Sequence, residues 1–324
     1  MAGFNNPVSR LNAIPDSVTI LPKISQDAGL GMIRTRFNMV VLLAALVWLA
    51  SGCSRIQFVY NQLDWVIPIY LESYMELSDT QSTYLKEHVK SFMSWHCSTQ
   101  LTAYASLIRD AAGNIQSGHI ERAQIEYYNQ RIEQFWLSIV KQASPAIAEV
   151  LSNSSDTQIE ELFKDFDKGN REWLDKFRKQ TEEELRNEYD ERMTTELERW
   201  FGPLNRIQQQ AVAAWSYKFS PLGMEGLATR VAWQSRLRTL LDQRKDLPYF
   251  SAAFNELVVN GDMPHSPAYQ KKLDDNRGVT IDLVYQVINN TSETQRQHQE
   301  NTAESIARDI DKLVCSADKP QITH

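Results

Sequence analysis

The sequence predicts an all-α fold, an irregular antiparallel helical bundle with one unusually long charged helix. Three observations carry this. Apolar residues recur at helical spacing, with no run of alternating β-branched residues and no Asn-Gly or Asp-Gly hairpin turn. Ser78, Ser155, Asn205 and Ser292 each stand three residues ahead of a glutamine (Gln81, Gln158, Gln208, Gln295). That is capping-box spacing: the cap side chain accepts from the third helical N–H and the glutamine reaches back to the cap. The breaks at Gly118, Gly202-Pro203, Ser220-Pro221 and Gly261 to Pro267 are short, which favours antiparallel neighbours. The four caps are unevenly spaced, so they do not build a solenoid.

At the amino terminus the pattern is that of an address. Met32 to Arg36 supplies a short positive segment, and Met39 to Ala50 is an uncharged apolar run. Small residues then precede Cys53. This is the order of a secretory signal, and the run is shorter than the ~20 residues of a permanent span. The ending Leu49-Ala50-Ser51-Gly52-Cys53 resembles a lipobox, with alanine where leucine is more usual. The expected division is therefore a signal peptide at 32–52 and a mature lipid-anchored helical domain at 53–324, with palmitate-type acyl chains on Cys53. The alternative is an uncleaved anchor or a buried helix with a chance cysteine. Residues 1–31 hold three prolines, two acidic residues and no apolar run. They read as a start site placed too far upstream or as a disordered extension.

Beyond Cys53 there are 30 basic and 39 acidic residues, a net charge of −9. That balance excludes nucleic acid as a partner, because phosphate neutralisation needs clustered Lys and Arg. It also offers no polybasic patch for anionic lipid. Two cysteines remain, Cys97 and Cys315. In an oxidising periplasm such a pair tends to close, so a disulfide stapling the last helix to an early one is expected, against two separate buried thiols.

Caps and Pro/Gly breaks place helices at about 55–77 (bent at Pro68), 79–117 (breaking near Cys97), 120–152 (bent near Pro145), 156–201, 205–219, 223–243, 247–260, 267–290 and 293–314. The 156–201 segment holds 15 acidic and 9 basic residues. Glu160–Lys164, Glu172–Lys176, Glu182–Arg186 and Glu188–Arg192 sit at the favourable i,i+4 spacing. As one rod it would span about 69 Å. Its apolar stripe thins in the middle to Leu185, Tyr189 and Met193, which become the candidate partner-binding residues.

No catalytic motif is present: no His-Glu-x-x-His, no Gly-x-Ser-x-Gly, no glycine-rich phosphate loop. The six histidines are too scattered to suggest a metal site, and no cofactor is implied. Trp95-His96-Cys97 is the one cluster worth weighing as chemistry. Adjacent helical residues point about 100° apart, so it reads as a packed tryptophan, a satisfied histidine and a disulfide cysteine. The tryptophans are spread across the helices and suit core layers.

Several segments together resemble a family. They are Tyr60 to Trp65 behind the lipobox cysteine, Leu77 to Gln81, Trp95 to Leu101 with Tyr104, Asn170-Arg171-Glu172, and Arg192 through Glu198 to Gln208 and Trp215. They are similar to the proteobacterial lipoproteins of unknown-function family 6279. Where members often carry proline after the leucine of the Trp-His-Cys segment, this chain has Thr102. The resemblance implies an all-helical, lipid-anchored envelope protein and no known activity. Leu77 to Gln81 is also similar to a motif of small helical periplasmic stress chaperones.

The expected function is a non-enzymatic envelope protein that binds another, unidentified envelope protein as scaffold or chaperone-like holder, and meets the membrane through lipid at Cys53. The rivals are an envelope hydrolase using carboxylates and a carrier of an apolar small molecule. Ser54, where aspartate would signal inner-membrane retention, places the expected address at the inner leaflet of the outer membrane, facing the periplasm.

Overall fold

A computed structural model describes residues 55–259 and 266–315. The 1–31 segment, the signal peptide at 32–52 and Cys53 lie outside the described residues. Twelve α-helices and no strand make up the described chain. In chain order they are α1 (Arg55–Tyr60), α2 (Leu63–Glu72), α3 (Asp79–Thr99), α4 (Leu101–Gln116), α5 (Arg122–Ser152) and α6 (Asp156–Lys179). Then follow α7 (Glu182–Phe201), α8 (Arg206–Lys218), α9 (Gly223–Leu241), α10 (Leu247–Val259), α11 (Pro267–Asn289) and α12 (Glu293–Asp311).

All four expected caps form. Ser78, Ser155, Asn205 and Ser292 accept from the backbone N–H of Gln81, Gln158, Gln208 and Gln295, and each glutamine returns the bond. The first expected helix instead ends at Tyr60 and restarts at Leu63, ahead of Pro68, which α2 accommodates. The break expected near Cys97 falls at Gln100. Pro145 does not interrupt α5.

One expectation is overturned. The 156–201 segment is two helices of 24 and 20 residues, separated at Gln180 and Thr181, where Gln180 adopts an extended conformation. The cause is local. Thr181 is an N-cap whose side chain accepts from the Glu184 N–H, and the Glu184 carboxylate accepts from the Thr181 N–H at 2.8 Å. With its own start signal, a new helix begins there.

Three clusters of apolar side chains hold the helices. The first joins Ile115, Ile125, Phe201, Val212, Trp215, Leu283 and Val287. The second joins Met75, Ala148, Leu151, Leu162, Phe163, Leu241 and Phe250. The third is smaller: Leu63, Ile67 and Leu71 of α2 pack on Leu85, Val89 and Met93 of α3. Helix α5, 31 residues and about 46 Å long, supplies Ile125 to the first cluster and Ala148 and Leu151 to the second. It is the spine that unites them.

The capping glutamines also join helices. The Gln158 side chain donates to Gln81 Oε1 at 2.7 Å and to the Glu76 carbonyl at 2.6 Å, while Gln81 donates to Ser154 Oγ and the Val150 carbonyl. The second pair repeats this. Gln295 donates to Gln208 Oε1 at 2.8 Å and to the Pro203 carbonyl at 2.9 Å, and Gln208 donates to the Val287 carbonyl at 3.0 Å. Glu76 and Pro203 each lie two residues before the partner's cap. Val150 and Val287 each lie five before theirs. The helix starts α3/α6 and α8/α12 thus form two equivalent latches.

Candidate functional site

Two regions collect the chemistry-bearing side chains. The first is the amino-terminal end. Cys97, buried near the end of α3, stands at disulfide distance from Cys315, with their Cα atoms 5.4 Å apart and a sequence separation of 218. The expected pairing of these two cysteines is therefore the one the fold presents. Beside it, His96 is held between two tyrosines, Tyr60 Oη at 2.9 Å from Nδ1 and Tyr104 Oη at 3.3 Å from Nε2. A neutral imidazole donates through one nitrogen and accepts through the other, so the two hydroxyls satisfy it fully. Burial lowers the His96 pKa. Burial likewise pushes Tyr104 up to about 12, and Tyr60 to about 12 with a further contribution from Tyr104. A half-buried neutral histidine between two protonated phenols is packing, not a nucleophile pair, as the helical geometry predicts.

The same end carries exposed apolar side chains. Val59 of α1 is 57 % exposed, and Trp65 and Ile69 of α2 are 52 % and 56 % exposed. Helix α1 is tied to α12 by the Gln57 side chain, which donates to Asp309 at 3.0 Å.

The second region is an open groove of about 600 Å³ between α4 and α5. Arg109, Asp110, Gly113 and Asn114 line one wall, and Ala123, Gln124, Tyr127 and Tyr128 the other. Gly113 leaves its wall bare, since a Cβ there would meet no atom within 4 Å. Arg109 is anchored to α12 by Glu304 at 2.9 Å and Asp311 at 2.6 Å. Both carboxylates raise its pKa, and in return Arg109 lowers that of Glu304. Asn114 donates to the Tyr128 hydroxyl. Farther along α5, outside the groove lining, Ile132 and Trp136 are also exposed. Phe135 turns inward onto Tyr104, with ring centroids 4.6 Å apart.

Leu185, Tyr189 and Met193, the expected partner-binding residues, lie along α7. All three are half-buried, and Tyr189 and Met193 pack on the first core. Tyr189 meets Phe219 edge-on at 5.2 Å and Trp215 at 6.4 Å. Burial raises its hydroxyl pKa. Trp215 of α8 and Phe219 just beyond its end thus pack on Tyr189. Of the expected ion pairs, Glu182–Arg186 and Glu188–Arg192 form, whereas Glu160 pairs with Arg238 on α9. These are exposed pairs that contribute about 0–1 kcal/mol each.

Groups suited to catalysis do not converge in either region. Among the described residues no set of three or more His, Cys, Asp or Glu is placed to hold a metal. Asp110 is the one carboxylate in the groove lining. Asp190 has a raised pKa, from partial burial first and Glu191 second, but it lies on α7, outside the groove lining.

A family model described as a family of unknown function, DUF6279, matches residues 73–270. The chain belongs to that family. The segment shared with DUF6279 spans α3 to α10, with both helices of the groove, and ends inside α11. Helices α1 and α2, α12 and Cys315 lie outside it. Neither the curated proteins nor the solved structures offer a match.

Proposed function

We propose that this DUF6279 protein is a lipid-anchored cell-envelope protein that holds a protein partner on its helical surface without catalysing a reaction. In this reading Cys53 carries the lipid, at the periplasm-facing leaflet of the outer membrane. The observation that carries the reading is the α4–α5 groove, with Ile132 and Trp136 exposed farther along α5. The groove offers tyrosine, arginine and amide groups from two helices, and tyrosine, arginine and tryptophan are the residues that dominate protein interfaces. Its open shape suits a protein surface better than an enclosed small molecule. A lone Asp110 supplies no acid/base pair.

Photo-crosslinking in intact cells tests it, with the reactive group at Tyr127 or Trp136 and, as a control, at exposed Tyr217 on α8. The expected outcome is a discrete crosslinked protein from the first two positions and none from the third. The double variant Ile132→Asp/Trp136→Asp should weaken that capture about tenfold or more while circular dichroism stays unchanged. Capture no stronger at Trp136 than at Tyr217 would sink the proposal.

A further inference from the structure

Helix α2 is apolar on two sides. Its sequence, LDWVIPIYLE, has charge only at Asp64 and Glu72, and Glu72 is turned onto α3, where it accepts from Ser82 Oγ at 2.7 Å. Leu63, Ile67 and Leu71 fill the seam with α3. The other side presents Trp65 and Ile69, Tyr70 is exposed at the flank beside the seam, and Val59 of α1 is exposed as well. A helix that is apolar all round belongs inside a protein or in a membrane, and here one half of it has protein against it.

We infer that the outward face of α1 and α2, carried by Val59, Trp65, Ile69 and Tyr70, lies on a lipid bilayer and is a second, non-covalent membrane contact. This rests on the reading of Cys53 as the lipidated residue. Only Ser54 separates Cys53 from α1, and two residues of extended chain reach about 7 Å. Acyl chains entering the bilayer at Cys53 therefore hold α1 within the ~5–10 Å headgroup boundary where interfacial helices lie. The side chains suit that layer, since Trp and Tyr combine an apolar ring with a polar tip, and here the tips are satisfied by Gln62 and Tyr74. At ten residues, about 15 Å, α2 is too short to cross, and no described helix is long and apolar enough to do so. The contact is apolar and not electrostatic, because residues 55–72 carry one basic and two acidic groups.

The test uses the full chain, processed in cells and reconstituted into vesicles of phosphatidylethanolamine and phosphatidylglycerol. Nitroxide labels are placed at Trp65→Cys and Ile69→Cys, with Lys179→Cys on an exposed polar turn as reference, and accessibility to oxygen and to an aqueous nickel complex is read by power saturation. The oxygen-to-nickel ratio at 65 and 69 should exceed that at 179 several-fold. Equal ratios at all three, in protein whose mass shows acylated Cys53, overturn the inference and leave the anchor standing. Labels at 65 and 69 shielded from both reagents also overturn it, because a second copy or another segment of the chain then covers the face. Lipid-facing labels on protein with unmodified Cys53 keep the contact and sink the anchor.

Discussion

His96 uses both ring nitrogens on tyrosines that come from different helices, Tyr60 on α1 and Tyr104 on α4. Phe92 and Trp95 of its own helix are the other rings around it. Because burial lowers its pKa, the unfolded chain takes up a proton more readily than the folded one. Stability is then fully present above the unfolded value near 6.5 and falls as pH drops through it toward the depressed folded value. Tyr60 and Tyr104 remain protonated throughout. His96→Phe should leave the hydroxyls short of a partner, at a cost of roughly 1–3 kcal/mol, and should flatten this part of the pH dependence. Urea titrations of both proteins at pH 7.5 and 5.5 check it, and equal losses on acidification in the two would refute it. Trp95-His96-Cys97 announced a packed cluster in the sequence. That Tyr60 and Tyr104 complete it was not legible, because one of them reaches back 36 residues across a helix break.

At the scale of elements, the decisive devices are the paired capping boxes. Each glutamine was legible as the third residue of a helix, since a local pattern determines a local bond. Their meeting across 77 and 87 residues was not, because it needs two helix starts to be docked side by side. The Gln208 side chain is completely buried and donates to Val287 of α11, while its Oε1 accepts from Gln295 of α12. Gln208→Ala should therefore cost about 2–4 kcal/mol, a lost cap interaction plus buried partners left unsatisfied. Exposed Gln210→Ala should stay within about 0.5 kcal/mol. Gln208→Ala and Gln295→Ala should combine less than additively, because the two side chains share a pair of reciprocal hydrogen bonds. Denaturant midpoints measure all three, and full additivity would dismiss the latch. The broken helix teaches the reverse lesson. Thr181-Glu182-Glu183-Glu184 is itself a capping box, so the α6–α7 boundary was written in the sequence beneath a continuous charge pattern.

For the whole molecule, the ends of the described chain meet. Helix α12 packs along α4, receives Gln57 from α1, and is closed onto α3 through Cys97 and Cys315. A link spanning 218 residues restricts the unfolded chain by roughly 5 kcal/mol at most in the entropy model, with 2–5 kcal/mol typical of native bonds. Cys97→Ser/Cys315→Ser should lose that stability, and amide exchange should accelerate first in α12. An unchanged midpoint together with unchanged α12 protection would show that the cross-link does not contribute. The sequence by itself determined the all-helical class, the four glutamine caps and the pairing partners available among the cysteines, because periodicity, caps and composition are local properties of the chain. Only the tertiary structure decided that the first core takes up Tyr189 and Met193 and leaves them half-buried. It also decided which apolar side chains, at Trp65, Ile69, Ile132 and Trp136, are left facing outward. Exposure is settled by what packs against a helix, and a helix with apolar residues on two faces does not say which one its neighbours will take.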